Sequence, residues 1–387
     1  MPAPGAERLE HIEVLRGFAL AAVLLVHLQD LSLYTFLSHD AQSLLPTAHW
    51  DNLIAPAFIA LFRWKAITIF TLLFGVSFAL QLERIDSAPR FSGFFIRRLF
   101  MLLVIGIAHS IFYYGDILRY YAVMGVFLLP ANRLRTRTLV LIGIVIALFP
   151  WTLFDSFNSF VIRDDASWQQ LVTSTRAAFA GPNILEMVRA NIHYDWSIFA
   201  SDWSFPLTLL GRLFIGAAIG RSAALARPRE NARSWLWLLI VTMPIGIGLT
   251  AFVSVMDDRK VPQMLQSSIR GATSLSLGLA YIAMFVLLFQ LPASRRLLSP
   301  LIAVGRMALT NYLLQTLVAI ILFYGVGFGI GPRFGLIGTL PFFAAIFSLQ
   351  IIFSQWWLRR FHFGPVEWVW RRLSYGFVIP MRKNCQE

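Results

Sequence analysis

The stretch Glu13-Val-Leu-Arg16-Gly17-Phe-Ala-Leu-Ala-Ala-Val-Leu-Leu-Val-His27-Leu-Gln-Asp30 decides how this chain is read. It is an apolar run of membrane-crossing length with two ionisable side chains inside it. Arg16 and His27 lie eleven residues apart. On an α-helix that spacing leaves them about 20° apart around the axis and ~16 Å apart along it. They share one face. Ionisable groups are costly in lipid and usually face a polar interior. This face is therefore expected to form one wall of a functional cavity. The competing reading makes Arg16 a topology anchor and His27 a buried, hydrogen-bonded histidine.

The rest of the composition agrees with a membrane setting. The 387 residues are 57% hydrophobic and only 14% charged, with mean hydropathy +0.66. A soluble domain carries about 25% charged residues. The apolar runs are continuous rather than alternating, which favours helices over a strand barrel. The expected fold is all-α: one polytopic transmembrane bundle over residues 1–387. The net charge of +13 lies in short loops between apolar runs. It therefore sets topology and meets anionic lipid headgroups rather than nucleic acid. The single cysteine, Cys385, excludes a disulfide framework.

Ten spans are read: 12–33, 65–82, 99–114, 117–130, 138–157, 203–220, 234–256, 270–291, 301–324 and 337–358. Between the first two lies a polar loop with a short interfacial helix. The long connection 158–202 reads as surface helices covering a cavity, and the tail 359–387 as an amphipathic surface segment. With both termini cytoplasmic, and charges near span ends counted with the side they lie toward, the inner side holds 22 of the 33 Lys and Arg, and the 20 carboxylates lean outward, 12 to 8. That satisfies the positive-inside rule. The reading finds no inverted pair of broken helices of the transporter type.

In this topology His27 and His109 fall near the outer ends of their spans. A neutral imidazole accepts a proton near neutral pH, and a carboxylate fixes its tautomer. Asp30 is one turn from His27, and Asp116 follows His109 across the turn Tyr114-Gly115-Asp116. No HxxxH or HExxH spacing supports a metal site. Arg16 and Arg212 are the intramembrane cations suited to hold phosphate, whereas Lys65 and Arg119 read as interfacial anchors. The run Gly325-Val-Gly-Phe-Gly-Ile-Gly331 lacks a following Gly-Lys-Ser/Thr and is a flexible loop, not a phosphate loop.

Leu15-Arg16-Gly17-Phe18-Ala19, Phe70-Thr-Leu-Leu-Phe-Gly75, Gly106-Ile-Ala-His109 with Gly115-Asp116-Ile117-Leu118, Met307-Ala-Leu-Thr310-Asn311-Tyr312-Leu-Leu-Gln315 and Phe363-Gly364-Pro365-Val-Glu367-Trp368-Val-Trp370-Arg371 together resemble the YeiB family of bacterial inner-membrane proteins. That family is similar to a wider superfamily of transmembrane acyltransferases. Bacterial membrane O-acyltransferases of the superfamily carry Arg, ten residues, then His in the first span, as Arg16 and His27 do. In the lysosomal heparan glucosaminide N-acetyltransferase the reactive histidine resembles His49 of the pair His49-Trp50. The two likenesses nominate different histidines.

The resemblance implies a multi-pass protein of the bacterial inner membrane. It would move an acyl group, acetyl foremost, from cytoplasmic acyl-CoA to a hydroxyl or amine of an envelope glycan, lipid or small molecule. His27, His109, Asp116, His49 and Asp30 are the catalytic candidates, and Arg16 and Arg212 the donor-binding ones. Membrane lipids are the expected surroundings, and a homo-oligomer is compatible with the reading. A transporter or lipid flippase is the alternative, with Arg and His in a proton relay; a scaffold or sensor is a third.

Overall fold

A computed structural model describes residues 10–83, 88–150, 165–201, 204–222, 224–225, 227–256, 261–375 and 380–383. The end of the fifth apolar run, the start of the long connection, Asp257 to Lys260 and Cys385 lie outside the described residues. What is described is almost wholly helical. Among the described residues strand pairing amounts to one isolated bridge, Phe361 with Arg382.

The helices in chain order are α1 (Glu10–Leu31), α2 (His39–Ser43), α3 (Ala48–Leu61), α4 (Lys65–Leu82), α5 (Ala88–Ser110), α6 (Leu118–Gly125), α7 (Leu128–Ala131), α8 (Thr136–Leu148) and α9 (Asp165–Ala180). They continue as α10 (Ile184–Ser201), α11 (Ser204–Gly220), α12 (Ala232–Val255), α13 (Gln263–Leu288), α14 (Pro292–Arg306), α15 (Ala308–Phe323), α16 (Leu340–Arg360) and α17 (Pro365–Tyr375). Among the described residues, six helical stretches, one of them α3 running on into α4, are long and apolar enough to cross a membrane, or up to eight if each of two bent pairs is one span. Apolar side chains remain exposed along their outer faces, such as Ile240, Val241, Leu349 and Ile352. A helix hydrophobic on all sides belongs in lipid or a core, because only a helix satisfies its own backbone there.

α1 is the hub. It is buried along most of its length and packs on α4, α14, α15 and α16. Close contact depends on small residues. A Cβ at Gly305 would fall on the backbone oxygen of Glu13, and one at Gly216 on that of Leu72. Those two glycines let α14 approach α1 and α11 approach α4.

Three spans differ from the sequence reading. The third begins earlier, since the basic pair Arg97-Arg98 is helical within α5. Here α5 gains a partner, α17, whose Trp370 indole donates to Arg98 O at 2.9 Å and lies 3.9 Å under the Arg98 guanidinium. The fourth is two short helices, α6 and α7, interrupted after Gly125, with Pro130 in the second; both are poor interior helix residues. The ninth is not one helix. α14 and α15 meet at Met307 with an 82° bend.

The cause of that bend lies 60 residues away in the chain, in the tail. Glu367 accepts from Leu309 N at 2.7 Å, from Thr310 N at 3.0 Å and from the Thr310 hydroxyl. A helix start leaves its first N–H groups without intrahelical partners. Here a carboxylate from another segment takes two of them. Gly364 permits it, because a Cβ there would meet the Glu367 carboxylate. Burial pushes the Glu367 carboxyl above its ordinary range, and the hydrogen bonds from Thr310 and Leu309 oppose the shift without cancelling it.

The described part of the long connection, 165–201, is helical apart from the turn at 181–183. α9 and α10 pack on each other and carry Phe179, Met187 and Tyr194 into a core shared with the upper part of α1 and with α15.

Candidate functional site

A cavity of about 230 Å³ runs beside α1 and is lined by both Arg16 and His27. The shared strip read from the sequence therefore faces a common space. Around the Arg16 end stand Glu13, Ser77, Arg98, Arg306, His362 and Arg371; around the His27 end stand Ile117, Leu118, Tyr121 and Tyr312.

The Arg16 end is strongly basic. Arg16 donates to both Glu13 carboxylate oxygens at 3.1 Å and to Ser77 Oγ at 2.6 Å. Ser77 in turn donates to Leu73 O at 2.7 Å, so the guanidinium is held from α1 and α4 at once. Arg306 reaches His362 O at 3.4 Å, and Arg371 lies over the Phe363 ring at 4.7 Å. Four arginines face two carboxylates, Glu13 and Glu367, in the lining. Planar guanidinium forks in such numbers suit phosphate.

At the other end, His27 is 8% exposed and its Nδ1 has no hydrogen-bond partner. Its ring packs on Tyr113 at 5.0 Å and Tyr312 at 6.0 Å. The same two tyrosines touch the His109 ring at 5.8 and 5.0 Å. His109 sits one layer back. Its Nδ1 is 2.8 Å from Asp116 Oδ2 and its Nε2 is 3.0 Å from Thr316 Oγ1, so both ring nitrogens are engaged. Asp116 also accepts from Arg119 N at 3.0 Å. The Tyr114-Gly115-Asp116 turn thus brings the carboxylate back onto the imidazole seven residues before it.

Other candidates stand elsewhere. Asp30 does not serve His27; it accepts from Thr35 Oγ1 at 2.9 Å, because the chain leaves α1 in a 3-10 turn that carries Thr35 over it. His49 is exposed on α3, against Trp50 at 5.4 Å, and does not line the cavity. Arg212 is buried at 3% exposure but also does not line it. Arg119, read as an anchor, forms a two-pronged ion pair with Asp195 of α10. Among the described residues no three His, Cys, Asp or Glu side chains are grouped to hold a metal ion.

Arg98, Arg306, Arg371, Tyr113 and Tyr312 were not singled out in the sequence. Each reads there as a loop charge or a core aromatic. The one signal available was that Met307 to Gln315 and Phe363 to Arg371 are both motif-like; the structure joins them through Glu367.

Fold and site together define a helical bundle of membrane type, with an internal chamber basic at one end and histidine-bearing at the other. Comparison with known proteins narrows this. The family described as "Protein of unknown function (DUF418)" matches residues 219–377. Uncharacterized protein YxaH of Bacillus subtilis is 29% identical over 409 residues, covering 98% of this chain and 97% of its own. Uncharacterized protein YeiB of Escherichia coli is 29% identical over 407 residues, covering 97% and 98%. Over nearly its whole length the chain is thus similar to these YeiB-like proteins.

Proposed function

We propose that this protein is a transmembrane acyltransferase of the bacterial inner membrane. It takes an acyl group, acetyl foremost, from cytoplasmic acyl-CoA and gives it to a hydroxyl or amine of an envelope glycan, lipid or small molecule. The observation that carries the reading is the single chamber reached by both Arg16 and His27. Donor phosphates would rest at the arginine end, with the pantetheine arm along the chamber. That places the thioester near His27. His27 would take the proton as the acceptor oxygen or nitrogen attacks the thioester carbonyl. The carbon–sulfur bond then breaks, and the departing thiolate of CoA takes up the proton that His27 accepted, which returns the imidazole to its neutral form. His109 and Asp116 would act behind it, holding Tyr113 and Tyr312 and so the His27 ring.

The topology proposed with it has ten crossings and both ends in the cytoplasm. Its support is the positive-inside count and the gathering at one end of the bundle of α17 on the start of α15 and of α14 on α1, where Arg295 also reaches Glu10 at 2.6 Å.

The test is His27→Ala in an acyl-transfer assay with labelled acyl-CoA. A positioned base contributes about 10²–10⁴ in rate, so turnover should fall by that factor. Unchanged turnover removes His27 from the chemistry. The second reading, a transporter or flippase, draws on the bent pair α14–α15, since broken spans are common at transporter sites. Substrate flux in proteoliposomes without any acyl transfer would favour it.

A further inference from the structure

Arg212 is left over by this scheme, and its surroundings point to a second site. It lies on α11, 3% exposed, within a segment apolar on every side. It makes no ion pair with any described carboxylate, and its Nε has no hydrogen-bond partner. α4 runs beside α11 in the same direction, with Leu72 against Gly216 and Val76 against Gly220, so Arg212 stands level with Thr68, within one turn of a second buried cation. That is Lys65 at the start of α4, 5% exposed, whose ammonium donates only to Ile59 O at 3.1 Å.

The nearby polar groups do not neutralise the pair. Thr68 donates to Trp64 O and Thr71 to Ile67 O, both at 2.7 Å, so each hydroxyl proton is spent on its own helix. Tyr121 lies 3.1 Å from Thr71 Oγ1 and within electrostatic reach of Arg212. Tyr121 also lines the chamber, so it links this place to the His27 end.

Two cations buried in an apolar bundle without a counter-charge carry a desolvation cost of several kcal/mol per ion. Leu or Met would fill the same space at none of that cost. We infer that Arg212 and Lys65 form an oxyanion site that receives a phosphate group. In the proposed topology it lies in the outer half of the bundle, away from the arginine end. The phosphate comes either from a lipid headgroup or from a small phosphate-bearing solute. This inference does not rest on the acyltransferase reading and is tested without turnover.

The experiment uses the full chain in neutral detergent and follows its melting midpoint by tryptophan fluorescence. The probes are inorganic phosphate against chloride at matched ionic strength, and phosphatidylglycerol against phosphatidylcholine. Each is titrated into wild type, Arg212→Gln and Lys65→Gln. The basic chamber end contributes equally to all three proteins. The expected result is that Arg212→Gln needs at least tenfold more phosphate or phosphatidylglycerol for half of the wild-type rise. A response to phosphatidylglycerol alone names the lipid as the source, and a response to inorganic phosphate names the solute. If both probes act on Arg212→Gln within twofold of wild type, or neither raises the wild-type midpoint, the site does not exist. Should Arg212→Gln fail to fold, the same tenfold criterion passes to Lys65→Gln.

Discussion

Replacing Glu367 by Ala removes one side chain and strands three donors: the N–H groups of Leu309 and Thr310 and the Thr310 hydroxyl. Each hydrogen bond is worth about 1 kcal/mol net, so the loss is about 3 kcal/mol. Unfolding entropy of about 2.1 cal/mol/K per residue over 387 residues makes that a fall of about 4 °C in melting midpoint. Glu367→Gln keeps the acceptor oxygen for both backbone N–H groups and should cost about 1 °C or less. The carboxyl is raised above its ordinary 4.5 because burial outweighs its hydrogen bonds. The folded protein therefore holds that proton more tightly than the unfolded chain does. Its contribution is complete below the ordinary value and is lost as pH rises through the folded one. Wild type should accordingly gain stability relative to Glu367→Gln as pH falls from neutral toward that ordinary value. Thermal scans of the three proteins in one detergent decide it. Equal losses in the Gln and Ala variants, or no loss in Ala, would refute the capping account of the bend.

Arg16→Gln should raise KM for the acyl donor by about 10- to 100-fold, the weight of one or two charged hydrogen bonds, with a smaller effect on kcat. Equal effects on both would place Arg16 at the reacting atoms instead. Asp116→Asn should lower turnover less than His27→Ala does, because the pair it breaks lies behind the chamber; a larger loss would make His109 the proton acceptor. Gly216→Val should lower the melting midpoint and the yield of monodisperse protein, overpacking costing about 1–3 kcal/mol where α11 meets Leu72. Wild-type behaviour would show that the two helices separate freely.

How much was legible follows from the range of the interactions. α1, α4 and α16 announce themselves as apolar runs, and the strip from Arg16 to His27 needs only helical periodicity. The pairing of His109 with Asp116 is also local, one turn of chain apart. The break at Met307 was invisible, because it depends on a carboxylate far along the sequence. Pairing His27 with Asp30 was reasonable by spacing, yet Thr35 competes for the same carboxylate from a 3-10 turn that spacing does not reveal. Arg98 and Arg371 look like ordinary topology signals until Trp370 and Phe363 fix where they stand. Arg212 was conspicuous, but its neighbours were not, so its separation from the chamber emerged only in three dimensions.

The docking of α17 has a consequence for biogenesis. Arg371 and the brace at Glu367 belong to a segment translated after every apolar helix described here. The floor beneath Arg16 is therefore laid only after those helices have been made. A nascent chain halted before residue 365 would carry His27 and its tyrosines above an open base, with the corner at Met307 unsupported. Quality-control proteases that sample exposed apolar surface would meet such a chain as unfinished, while one that carries α17 has its floor in place.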